Sequence, residues 1–341
     1  MTAAEIAKIA GVSRSTVTAV INDYPYISDS TKEKVRKIIE EYGYVPNASA
    51  RGLVGKKPKV IGLFLYNDEE LNESSYSSSL IVNIIDRAQL LNYTVITCLL
   101  SKNDSTKKIF DFFKNGSIQG AIISGGTTSY EKYESLINSN YPIVMVDKLS
   151  DKISISGKTS VVNRNNFKGA YIATQYLIKK GHLNILYIGG VDYRLSSIER
   201  LRGYKEALID NAIEIDETKI LQGNFSSKTS ESLVDLYLKS NLIPSAIFCV
   251  NDMSAIGAIH SLKKHNIRVP EDVSVIGFDD LFISSEISPK LTTIKASSKN
   301  VALEAVNILV KSIEIKDSVS TSVIIEPSIV ERESVKWKTT M

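Results

Sequence analysis

Two groups of residues carry the chemistry in this sequence. The first is Arg14, Ser15, Thr18 and Ala19, which share one face of a short helical pattern, while Val17 and Ile21 take the opposite face. An anchored apolar face behind a small polar face with one guanidinium suits a helix that enters the DNA major groove. The alternative is a three-helix bundle with no partner. The second group directly follows a series of apolar runs: Tyr66, Asn67 and Asp68; Ser124 to Thr127; Asp147 and Lys148; Asn251 and Asp252; and Phe278, Asp279 and Asp280. If those runs are parallel strands, these residues stand at the carboxyl ends, where open sheets bind small ligands. Tyr76, Ser77, Ser78 and Ser79 add hydroxyls near a helix start, in what is otherwise a solvated loop.

Other chemistries lack their residues. The three histidines are His182, His260 and His265, and the last two are five apart, out of line for a shared metal ion. No GxSxG, HExxH, GxxxxGK[ST] or GxGxxG pattern occurs. The expectation is a protein that is not an enzyme and that needs no metal and no cofactor. Cys98 and Cys249 both lie in apolar runs read as buried strands, and two cysteines make no disulfide framework, which points to a reducing, cytoplasmic setting. The start MTAAEIAKIA lacks the pattern of a signal peptide. No run approaches the roughly 18 apolar residues of a membrane span. Through Lys59 the chain carries ten Lys or Arg against six Asp or Glu, whereas the rest is close to balanced. The surplus of positive charge at the front favours an anionic partner there.

The elements that must position these groups fall into two styles. Three short helices come first. Thr2 and Glu5 have capping-box spacing, Ile6, Ile9 and Ala10 form an apolar face, and Gly11 permits a turn. Ser13 caps the second helix, whose inner face is Val17, Val20 and Ile21. The third starts near Ser28 to Ser30, with Ser30 and Glu33 again at capping-box spacing, and turns Val35, Ile38, Ile39 and Tyr42 inward. A proline at 46 then leads to a helix-compatible stretch and the basic tether Gly55 to Lys59. From Val60 onward, the apolar runs VIGLFL, YTVITCLL, GAIISG, PIVMVD, NILYIGG, AIFCV and VSVIGF alternate with amphipathic helices. That alternation predicts parallel sheets covered on both faces, and the length suits two similar lobes.

The run AGVSRSTVTAVIN, followed by YISDSTKEKVRKIIEEYGYVPNASARGL, resembles the headpiece of the LacI/GalR family of bacterial transcriptional regulators. GAYIATQYLIKKGHLNILYIGG, IERLRGYKEAL, PSAIFCVNDMSAIGAIHSLKKHNIRVPEDVSVIGFDD and SPKLTTIK resemble the same family's effector domain, a fold shared with periplasmic sugar-binding proteins. The resemblance implies a helix-turn-helix headpiece over 1–46, a hinge helix and linker over 47–59, and a two-lobed α/β effector and dimerisation domain over 60–341. It gives Arg14 and Ser15 base-reading roles, beside Thr18 and Ala19, and makes Ser13, Thr16 and Asn22 DNA-backbone contacts. It also makes Asn47, Ala50, Arg51 and Leu53 a minor-groove hinge, with Leu53 as an apolar wedge. Ala19 departs from the Arg or His usual there and offers only a methyl to a thymine.

For the effector the resemblance points to Arg200, Asp252 and Asp279. Tyr66, Tyr76, Ser78 and Asn251 are further candidates. An arginine and aspartates facing across a cleft suit a polyhydroxylated ligand such as a sugar. Two alternatives stay open: a purine corepressor stacked on Tyr66, Tyr76 or Phe282, and a solute-binding protein with no regulatory role. The implied partners are a pseudo-palindromic DNA operator, a small-molecule effector and a second copy of the chain, with no membrane. The chain lacks the terminal heptad helix of the family's tetramers, so a dimer is expected.

Overall fold

The computed structural model describes residues 1–21, 23–44, 58–66, 75–101, 106–124, 133–147, 157–240, 243–315 and 319–338. Two compact units divide the chain, Met1–Pro58 and Lys59–Met341.

The first unit holds three helices: α1 (Ala3–Ala10), α2 (Arg14–Ile21) and α3 (Asp29–Glu41). Thr2 Oγ1 accepts from the Glu5 amide while Glu5 accepts from the Thr2 amide, so the capping box forms. Gly11 ends α1 at φ 63°, a left-handed conformation that suits glycine. Ile6, Ala7, Ala10, Val17, Val20 and Val35 fill the small core.

Three expectations change here. Ile9 is exposed and Ala7 takes its place inside. Tyr42 is exposed, and Tyr44, beyond the helix end, packs on the core instead. The α3 start falls within the expected Ser28 to Ser30, but the N-cap is Ser28 with no side-chain capping bond, so Ser30 lies in the first turn and forms no capping box with Glu33.

The second unit begins with β1 (Val60–Tyr66), α4 (Ser75–Leu90), β2 (Thr94–Leu100), α5 (Lys107–Lys114), β3 (Gly120–Ser124), α6 (Glu134–Ile137), β4 (Ile143–Val146) and β5 (Thr159–Arg164). Next come α7 (Asn166–Lys179), β6 (Ile185–Ile188), α8 (Leu195–Asp210), β7 (Ile220–Leu221), α9 (Ser227–Leu238), β8 (Ala246–Cys249), α10 (Asp252–Lys264), β9 (Ser274–Phe278) and β10 (Thr292–Lys295). The chain closes with α11 (Ser298–Glu314), β11 (Ser322–Ile325) and β12 (Ser328–Val330).

Among the described residues these strands make two six-stranded sheets, ordered β11-β5-β4-β3-β1-β2 and β12-β10-β9-β8-β6-β7. Every pairing in the first sheet is parallel, and in the second only β12 runs antiparallel, against β10. Central strands such as β4 and β8 are buried throughout, because helices cover both faces. The fold class expected from the apolar alternation is the one observed. Cys98 is an exception: β2 is an edge strand, so its side chain is only half-buried.

The described chain crosses between the lobes at three places. It leaves the first sheet at the end of β5, enters α11 from β10, and passes from β11 to β12. Consequently α11 belongs to the first lobe, where Val301, Ala302, Val306 and Leu309 pack with Ile61, Leu63 and Ile84.

Candidate functional site

In the first unit, α2 presents the polar residues singled out above. Arg14 and Ser15 are exposed, and Val17 and Val20 are buried behind them. Ser13 Oγ accepts from the Thr16 amide at 3.0 Å and lies 2.8 Å from Thr16 Oγ1, which fixes the helix start. Thr18 Oγ1 donates to the Arg14 carbonyl at 3.0 Å, so its hydroxyl hydrogen is spent within the helix. Ala19 does not share their exposure: it is 3% exposed, and its carbonyl accepts from the Tyr24 amide of the following turn. That turn is held to α3 by Asp23, which pairs with Arg36 at 2.8 Å and Lys32 at 3.2 Å. Asn22 and the hinge residues Asn47, Ala50, Arg51 and Leu53 lie outside the described residues.

In the second unit, the carboxyl ends of the two sheets face each other, and charged residues meet between them. Arg164, the last residue of β5, sends Nε and Nη2 to Asp147 Oδ2 at 2.9 Å each and Nη1 to Asp279 Oδ1 at 2.9 Å. Its amide also donates to Asp147 Oδ1 at 3.1 Å. Arg200 Nη2 lies 3.5 Å from the same Asp279 oxygen. The Tyr76 ring lies under the Arg164 guanidinium, 3.8 Å from Cζ, and its hydroxyl donates to Asp147 at 3.4 Å.

Burial works against the charge on Arg164, but Asp147 and Asp279 outweigh it and raise its pKa. Burial also pushes the Asp279 carboxyl up, against the opposing pull of Arg200 and Arg164. Asp147 and Asp279 both have left-handed backbones, at φ 54° and 111°. For non-glycine residues that conformation is held only by surrounding structure, and it recurs at functional sites.

Arg200 is anchored from several sides. Its Nε donates to Asn166 Oδ1 at 3.0 Å, Nη1 to the Val250 carbonyl, and the guanidinium lies 3.7 Å over the Phe278 ring. Burial lowers its pKa, partly offset by Asp279.

Other candidates fall elsewhere. Tyr66 is buried edge-on against Tyr133, within the first lobe's core. Ser78 is exposed on α4. Asn251 caps α10 by accepting from the Ser254 amide, and its Nδ2 donates to the Phe225 carbonyl at 3.0 Å. Asp252 is fully buried; it accepts from Thr293 Oγ1, from Ser284 Oγ at 2.7 Å and from the Leu281 amide at 2.8 Å. Those bonds make Asp252 a brace between α10 and the 279–284 loop. Phe282 is exposed in a short 3-10 turn.

The cluster thus joins Tyr76, Arg200 and Asp279 with Arg164 and Asp147. Arg164 stands at a lobe crossing and carries no motif, so nothing in its neighbourhood singles it out beforehand; Asp147 was visible only as one strand-end acid among several. Phe225 was also overlooked. It is half-buried with φ 69° in the loop after β7, and Arg194 lies 5.3 Å over its ring. Among the described residues, no group of three or more His, Cys, Asp or Glu is placed to hold a metal ion.

Comparison with known proteins agrees with this architecture. Residues 2–47 match the family described as bacterial regulatory proteins, lacI family, and residues 174–335 match a periplasmic binding protein-like domain. The HTH-type transcriptional repressor PurR of Vibrio atlanticus is 32% identical over 336 residues, covering 97% of this chain and 98% of that protein. The Lac repressor dimer, solved bound to operator and the anti-inducer ONPF, superposes with a TM-score of 0.86 at 25% identity, over 98% of this chain and 99% of that one. The regulator CelR in complex with cellobiose gives a TM-score of 0.72 at 25% identity, again over 98% and 99%. A three-helix headpiece with an exposed Arg14–Ser15 face, joined in one chain to two facing parallel sheets and matched to such relatives across nearly its whole length, belongs to the lacI family of DNA-binding bacterial transcriptional regulators.

Proposed function

We propose that this regulator is a cytoplasmic, dimeric repressor whose grip on a pseudo-palindromic operator is set by a small polyhydroxylated effector, a sugar or sugar derivative, bound between the lobes. The observation that carries this reading is the meeting of Asp147, Arg164 and Asp279, at facing strand ends, with Tyr76 and Arg200 from the helices α4 and α8: two cations and two anions with a phenol. A near-neutral, hydrogen-bonding cluster recognises hydroxyl groups, which donate to carboxylates and accept from guanidinium groups. Arg14 and Ser15 supply the base-reading groups and Ser13 and Thr16 the backbone contacts. The exposed Val82, Leu90 and Leu99 on α4 and β2 suit a face that pairs with a second copy. In the complexes named above, Lac repressor is a dimer on its operator and CelR holds cellobiose. No helix among the described residues is long and apolar enough to cross a membrane.

The purine corepressor reading has one specific observation in its favour. Phe225 presents a half-buried ring beside Arg194, a flat apolar surface next to a donor. Against it, Tyr66 is in the core and the Tyr76 ring is already covered by Arg164.

Two experiments test the proposal. Selection from random DNA should return a symmetric duplex, and Arg14→Ala should weaken binding to it by about 1–3 kcal/mol while relaxing preference at one position. Uniform weakening on all sequences would make Arg14 a phosphate contact. Calorimetric titration with cellobiose and other sugars, against hypoxanthine and guanine, should give heat only with a sugar. Binding of a purine alone would transfer the site to the second reading.

A further inference from the structure

Arg164 fills the space between the lobes with side chain that belongs to the protein itself. It leaves the first lobe as the last residue of β5, next to one of the three crossings. Its guanidinium gives two hydrogens to Asp147, of the first lobe, and one to Asp279, of the second. The Arg164 and Asp279 side chains are each only 6% exposed. Asp147 and Asp279 come from opposite sheets, at the ends of β4 and β9, and both hold left-handed backbones that aim their carboxylates at one guanidinium. Arg200 backs Asp279 from the second lobe's side, so charges alternate across the cleft: Asp147, Arg164, Asp279, Arg200.

Each contact limits what the others can do. If Asp279 swings away with its lobe, Arg164 keeps Asp147 but loses its third acceptor. Asp279 then keeps only the longer Arg200 contact. Charge-assisted bonds of this length are the strong kind, and the Tyr76 ring beneath the guanidinium restricts where it can go. The lobes are therefore tied together by a bond that requires no small molecule.

We propose that Arg164 is an interlobe latch: it holds the cleft shut in the ligand-free protein by bridging Asp147 and Asp279, and an occupant of the cleft has to take its place on those carboxylates. The first half stands on these side-chain contacts alone, and the second rests on the effector reading given above. The latch differs from a ligand contact in that all its partners are side chains of this chain. It also differs from a simple core ion pair, because it joins two sheets that the chain connects only through three short crossings.

The test uses the full-length protein without any small molecule. Cys98→Ala removes the half-buried thiol, Cys249 stays buried, and nitroxide labels go on Glu134→Cys and Lys228→Cys, exposed positions in the first and second lobes. Labelled chains are diluted with unlabelled ones, and the distance is read by pulsed electron spin resonance. The parent is expected to give one narrow distribution. Arg164→Gln and Asp279→Asn should each broaden it and shift it to longer distances, and combining them should add little to either alone. Arg164→Lys, which keeps the charge but cannot reach both acids in a fork, should fall between. Circular dichroism selects variants that fold, and Asp279→Asn carries the test if Arg164→Gln does not. A parent-like narrow distribution in folded Arg164→Gln or Asp279→Asn overturns the latch. A failed sugar titration leaves these ligand-free distances untouched and counts only against the effector reading.

Discussion

Replacing Asp252 by asparagine tests how this domain handles a buried carboxyl. Burial, reinforced by Asp279, pushes the Asp252 pKa from 3.8 up to about 7, and the bonds from Thr293, Leu281 and Ser284 offset only part of that rise. Below about pH 4 the group holds its proton in both the folded and unfolded chain, and its full contribution to stability is present. As the pH rises, the unfolded chain ionises first and gains free energy that the folded chain does not. Stability is therefore lost from about pH 4 to about pH 7 and is level above that. At about 1.4 kcal/mol per pKa unit, the gap corresponds to about 4 kcal/mol as an order of magnitude.

Asparagine keeps the shape. Its Oδ1 can accept from Leu281 and Ser284, while its Nδ2 reverses the bond to Thr293, at a pH-independent cost of about 1 kcal/mol. Urea unfolding of both proteins at intervals from pH 4 to pH 8 is the assay. The variant should gain on the parent steadily up to about pH 7 and then run parallel to it. Parallel curves over the whole range, or a parent that gains on the variant as pH rises, would refute the account of Asp252 as a carboxyl kept neutral by burial.

Two further substitutions probe packing. A Cβ on Gly257 would run into the backbone carbonyl of Ser227, where α9 crosses α10. Gly257→Ala should therefore lower the second unit's thermal midpoint and cost about 1–3 kcal/mol or more, measured by calorimetry. Ile6 is fully buried in the three-helix unit, and Ile6→Ala should cost about 2–5 kcal/mol there. Hydrogen exchange on the whole chain should show protection lost over residues 3–41 and unchanged over residues 159–313.

Much of the architecture was readable because periodicity reports burial. Seven of the twelve described strands, β1 to β4, β6, β8 and β9, are the apolar runs; β5, β7 and β10 to β12 lie outside those runs. Individual side chains were less legible. Ala19 lies on the polar side of α2 by helical spacing, yet it is buried. Asp252 and Asp279 both follow apolar runs and look alike in sequence. Only the 279–284 loop, folded back over α10, separates a carboxyl sealed by three donors from one that faces the other lobe. Arg200 was found through its RLRGY setting, but Arg164 acquires its partners by standing where the chain changes lobes, a property of topology that no local pattern encodes.

The threefold crossing has a consequence for engineering. Neither lobe is a continuous stretch of chain, so no single splice can exchange the second lobe for that of another regulator. A graft needs three junctions, beside Asn165, near Ala296 and near Pro327. Splicing at the first junction alone would replace α11 and β11 along with the second lobe, and the recipient would then have to fit foreign side chains where Val301, Ala302, Val306 and Leu309 now sit.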